Sequence, residues 1–89
     1  MSEDIAIEGE KIGEVTHVFG QIGVVAVDLS GDLKVGDKVK FKGATTDFEQ
    51  EINSMQIENK SVNEAGKGDS IGVKISEKAR VGDLVFKIK

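Results

Sequence analysis

Residues 34–42 read Lys34-Val35-Gly36-Asp37-Lys38-Val39-Lys40-Phe41-Lys42. The second half alternates apolar with charged residues, the period of a strand with one buried face. The first half is a turn signal. Glycine tolerates the positive φ of a tight turn, and an aspartate can hydrogen-bond nearby backbone. The same pairing of corner and strand recurs as Arg80-Val81-Gly82-Asp83-Leu84-Val85, and more loosely as Gly66-Lys67-Gly68-Asp69-Ser70-Ile71. The spacings are unequal, so this is a repeated corner and not a solenoid repeat.

Period two persists on either side of this stretch. Val25, Val27 and Leu29 alternate with Ala26 and Asp28. Ile71, Val73 and Ile75 alternate with Gly72 and Lys74, and Leu84, Phe86 and Ile88 with Val85, Lys87 and Lys89. The stretch 11–19 places apolar residues at Ile12, Val15, Val18 and Phe19, a phase shift of the kind a β-bulge makes. Residues 46–57 shift phase as well. No segment sustains helical spacing over three turns. The expected fold is all-β: a small closed antiparallel β-barrel of about six strands, which hides one apolar face and leaves no open edges.

The chain has 89 residues, enough for one small domain. It has no Cys, which excludes disulfides, thiolate nucleophiles and Cys-based zinc sites, and its one histidine, His17, excludes a multi-His centre. Of the four Phe, most fall on phases read as inward. The formal charge of −4 is local. Glu3, Asp4, Glu8 and Glu10 lie in residues 1–10 without a Lys or Arg, while residues 11–89 hold 12 basic and 12 acidic side chains. Residues 1–10 are therefore read as an acidic flexible tail and residues 11–89 as the single barrel domain. No signal-peptide pattern or membrane-length apolar run occurs, so a cytoplasmic protein without membrane contact is expected.

Enzyme motifs are not met. Gly66-Lys67-Gly68-Asp69-Ser70 lacks the first glycine of a phosphate-binding loop, and a strand follows where that loop needs a helix. No serine sits in a nucleophile elbow to pair with His17. The expectation is no enzyme, no catalytic, cofactor-binding or metal-binding residue, no cofactor and no nucleotide binding.

The ordered set Gly13-Glu14-Val15, Val18-Phe19, Gly23-Val24-Val25-Ala26-Val27, Leu33 to Val39, Ile52 to Ile57, Val62 to Asp69, Ile71-Gly72-Val73 and Val81 to Val85 resembles the second domain, a β-barrel, of translational GTPases such as elongation factor Tu and initiation factor 2. The stretch Asp47 to Ile57 is also similar to the C-terminal barrel of the collagenase-like peptidase family, some members of which modify RNA. Both relatives carry the barrel as an accessory module, so the resemblance implies a binding role. Val18-Phe19 match the translation-factor pattern, but Thr16 and His17 replace its acidic pair and the loop Gly20-Gln21-Ile22-Gly23 lacks its Arg. The aminoacyl-adenosine pocket is not implied.

The function expected is a non-catalytic, translation-factor-like module contacting RNA or a ribonucleoprotein. Candidate partners are tRNA or ribosomal RNA. The alternative is a protein–protein adaptor docking on an RNA-modifying enzyme or GTPase, hence a protein partner from the translation or RNA-modification machinery. The candidate face comprises Lys38, Lys40, Lys42, Lys74, Lys87 and Lys89, which as a stripe would release counterions from phosphates. His17 and Gln21 are candidate loop contacts. Against this stands an ordinary solvated face, with Asp28, Glu49 and Glu51 as cross-strand partners. The absence of Tyr and Trp also removes the best base-stacking groups.

Overall fold

The structure, a computed structural model, describes residues 9–88. Residues 1–8 of the stretch expected to be a tail, and Lys89, lie outside them, while Gly9 and Glu10 of that stretch belong to the first strand. Among the described residues ten strands occur: β1 (Gly9–Phe19), β2 (Val24–Leu29), β3 (Leu33–Lys34), β4 (Lys38–Lys42), β5 (Asp47–Glu51), β6 (Met55–Ile57), β7 (Lys60–Val62), β8 (Glu64–Ala65), β9 (Ser70–Lys74) and β10 (Leu84–Ile88). Eight form one antiparallel sheet in the order β5-β4-β10-β1-β2-β9-β6-β7, and β3 pairs with β8. No helix among the described residues is long and apolar enough to cross a membrane.

The all-β class follows from the alternation. Val25, Val27 and Leu29 of β2, Val39 and Phe41 of β4, and Ile71 and Val73 of β9 all enter one core with Ile12, Val15, Ile52, Met55 and Val85. Phe41 and Phe48 oppose each other across β4 and β5, their rings stacked at 4.9 Å. The phase shift in β1 is two register shifts, at Lys11/Gly13 and at Val15/His17.

The ladder does not close. Its ends are β5 and β7. Where β5 approaches β9, one side chain spans the gap: Gln50 Nε2 donates to the Lys74 carbonyl at 2.8 Å, and Gln50 Oε1 accepts from the Ser76 N–H at 2.7 Å. The sheet therefore wraps around its core with a seam bridged by an amide.

The Gly-Asp corners are built alike. Gly36, Gly68 and Gly82 have φ of 100°, 93° and 95°, where a side chain is strained. In each, the aspartate folds back to accept the N–H three residues earlier: Asp37 from Lys34 (3.0 Å), Asp69 from Gly66 (2.9 Å) and Asp83 from Arg80 (2.7 Å). The bond runs backward and not to the following backbone. Each corner also grips one buried residue of another strand or its margin. The glycine N–H donates to that residue's carbonyl, and the residue's N–H donates to the aspartate carbonyl. The gripped residues are Ile52, Leu29 and Val15 in turn.

The third grip sets the phase of β10. With Gly82 and Asp83 fixed on Val15, Val85 points inward opposite Phe41, and Leu84, Phe86 and Ile88 face outward beside Lys42, Lys40 and Lys38. The heavier apolar set of this strand is thus on the outside, where neighbouring lysine stems can shelter it. The inward reading of the Phe residues holds for Phe41 and Phe48. Phe86 is half-buried, and Phe19 is 48% exposed.

Candidate functional site

The lysines do not form one stripe. Lys38, Lys40 and Lys42 share the outer face of β4, but β5 lays Glu51, Glu49 and Asp47 directly opposite them. Lys38 reaches Glu49 at 3.9 Å, Lys40 reaches Asp47 at 3.6 Å, and Lys42 reaches Asp47 at 3.0 Å. The Lys42 hydrogen bond, and then the charges of Lys40 and Lys42, hold the Asp47 carboxyl below its usual range. This is a mixed-charge ladder whose cations are already matched.

Lys74 is on β9, across the acidic β5 strand and its seam from the β4 lysines. Lys87 shares the inward phase of Val85 and lies at one end of the core, 3.6 Å from Asp37. The last member of the set, Lys89, lies outside the described residues. A continuous basic surface therefore requires side chains that the sheet places on different faces.

The other candidates converge on the β1–β2 hairpin. His17 sits on the outer face of β1 and stacks on Phe19, with ring centroids 6.2 Å apart. Gln21 is exposed in the turn. The same hairpin displays three large apolar side chains: Val18, Phe19 and Ile22 are 38%, 48% and 65% exposed. Phe19 and Ile22 wall a shallow outer groove of about 350 Å³ floored by Val24, Ala26 and Gly72, with Glu58 and Asn59 on the rim. Those two rim residues hold φ of 52° and 68°, a left-handed pair without glycine at a two-residue turn.

Sequence reasoning singled out His17 and Gln21 but missed Phe19 and Ile22. The usable signal was the bulge. One extra residue at Thr16 reverses the phase of everything after it, so that Phe19 pairs with Val24 on the outside while Val18 pairs with Val25. Gln50 had no signal at all, because its partners are 24 and 26 residues away. Among the described residues, no group of three metal-ligating side chains comes together.

Comparison with known proteins leads away from translation factors. No protein-family model matches the chain. It is 39% identical over 80 residues to an uncharacterized protease of Methanocaldococcus jannaschii, a match covering 89% of this chain and 20% of that protein. It is 27% identical over 99 residues to a collagenase of Porphyromonas gingivalis, covering 89% of this chain and 27% of the collagenase. The chain thus spans about a fifth to a quarter of the length of these relatives. Its fold is that of the C-terminal domain of a putative U32 peptidase of Geobacillus thermoleovorans, with a TM-score of 0.84 at 20% identity over 99% of this chain and 100% of that one. The selenomethionine form of the same domain gives 0.83 at 21% identity, over 88% of this chain and 99% of that one. The similarity to collagenase-like proteins stands. The translation-factor-like, RNA-binding reading is corrected: the matched proteins are named for proteolysis, and elongation-factor kinship finds no support among them.

Proposed function

We propose that this chain is a non-catalytic accessory domain of the collagenase-like peptidase type, docking on the catalytic part through the tip of the β1–β2 hairpin. The observation that carries the accessory role is the partial match. Proteins named as proteases contain this unit as a fifth to a quarter of their length, with most of each chain left for chemistry. The chain's own residues fit that division. Its one imidazole, His17, is exposed and stacked on the Phe19 ring.

The hairpin supplies the contact. Phe19 and Ile22 expose apolar surface on one wall of the protrusion and Val18 adds more beside them, and large apolar side chains grouped on a surface mark interaction sites. Gln21 and His17 lie at the rim, where polar groups of an interface normally sit.

The test mixes the 89-residue chain with the remainder of the Methanocaldococcus relative, the roughly four-fifths lying outside the match. The expected result is co-elution of the two and its loss with Phe19→Ser and Ile22→Ser together, with the circular dichroism of the chain unchanged. Hydrolysis of gelatin or casein by the purified chain alone would refute the non-catalytic assignment. Absence of association at micromolar concentrations would refute the docking.

A further inference from the structure

We infer that the seam between β5 and the end of β9 is a strand-addition site for an extended peptide, with the Gln50 side chain as an internal placeholder. The inference does not rest on the hairpin docking, since the two surfaces share no residue.

The pairing of β9 leaves the site open. On one side β9 pairs with β2, and Ile75 continues that side by donating to the Gly23 carbonyl. On the other side β6 covers only Gly72 and Val73. The next two polar groups on that side are the Lys74 carbonyl and the Ser76 N–H. They are an acceptor and a donor belonging to an uncovered sheet edge, which is the template that strand addition uses.

Gln50 fills that edge with the chemistry of a peptide group. Its N–H donates to Lys74 at 2.8 Å and its carbonyl accepts from Ser76 at 2.7 Å, with the Ser76 hydroxyl donating to the same oxygen at 3.2 Å. An extended backbone presents the same donor–acceptor pair at every second residue. A side-chain amide is a weaker occupant than a strand, because it satisfies one pair of groups and must keep several rotors fixed to do so. The place is accessible: Asn53, Ser54 and Glu51 line an open groove of about 260 Å³ there with Gln50 and Lys74 to Ser76. The chemistry recognised is main-chain amide, so the partner is an unstructured polypeptide segment and its sequence is read only loosely.

The experiment titrates the ¹⁵N-labelled full chain with an acetylated, lysine-flanked peptide of alternating threonine and valine. A control peptide is N-methylated at alternate amides. On binding, the Gln50 side-chain NH₂ resonance moves to the position of a free amide, and the Ser76 N–H gains protection from exchange. Gln50→Ala removes the competitor and its hydrogen bonds to Lys74 and Ser76, so the peptide binds about ten-fold tighter. Phe19→Ser leaves the titration unchanged, which separates this site from the hairpin. Three results would each overturn the inference: no movement of Gln50 or Ser76 at millimolar peptide, equal binding of the N-methylated control, or no gain in affinity for a folded Gln50→Ala. Should that variant lose its fold, Gln50→Met keeps the side-chain length without the amide and takes its place.

Discussion

Gly43 lies so close to the buried carboxylate of Asp83 that a Cβ built on it would overlap the Asp83 side chain. The two residues come from β4's exit and β10's entry. The bare backbone at Gly43 is what lets the Asp83 corner close against it.

Gly43→Ala is therefore expected to cost about 2–4 kcal/mol, by overpacking and by pushing Asp83 off the Arg80 N–H. Gly20→Ala meets no atom within 4 Å and serves as the neutral control. Urea midpoints of the two variants check the difference. A Gly43→Ala protein as stable as Gly20→Ala would mean the carboxylate has room to move.

The three corner aspartates rank by burial. Asp83 is buried, whereas Asp37 and Asp69 are partly exposed. Asp83→Ala leaves the Arg80 N–H without its acceptor away from water and is expected to cost about 2–3 kcal/mol. Asp37→Ala and Asp69→Ala are expected to cost about 1–2 kcal/mol each. Thermal unfolding of the three proteins side by side tests the order.

Asp47 couples stability to pH. Lys42 and Lys40 lower its carboxyl below the ordinary aspartate value of 3.8, so near that pH the unfolded chain binds more protons than the folded one. The contribution is present in full above the unfolded value and is lost as pH falls through the folded one. Asp47→Asn should thus be less stable than the parent at pH 6, with the gap narrowing below pH 4 and in 1 M salt. A gap independent of pH would show that the lysines do not hold this carboxylate. Because Asp47 is at the surface, salt screens the effect and it is small.

The β6–β7 turn has room for improvement. Glu58 and Asn59 occupy left-handed backbone at φ of 52° and 68°, and the preferred pair for such a two-residue hairpin is Asn-Gly. Replacing Glu58→Asn and Asn59→Gly together should raise stability by about 1 kcal/mol. Calorimetry reads the gain, and a lower melting temperature would point to a role for the Glu58 side chain on the groove rim.

What could be read from sequence divides by the range of the forces involved. The corners were legible because a glycine and an aspartate three residues past an N–H suffice to build them, as Lys34 to Asp37 shows. The β1 bulge was legible from the spacing of Val15 and Val18. The acids opposite Lys38 and Lys40 were foreseeable partners, because alternation puts Glu49 and Glu51 on one face. The outward turn of Phe86 was not legible, since it depends on Val15 gripping a corner from the other end of the chain. Lys87 left the supposed basic face for the same reason. The incomplete closure of the sheet turns on one glutamine amide that no local pattern marks.

The three grips also differ in how much chain each must close. The residues joined by the N–H to aspartate bonds are 15, 40 and 68 positions apart along the chain. The entropy lost on closing a loop grows with its length, and folds dominated by distant pairings form slowly. The clasp on Ile52 closes the shortest loop, that on Leu29 a longer one, and that on Val15 the longest. The phase of β10 thus carries the largest loop-closure cost of the three corner-led strands.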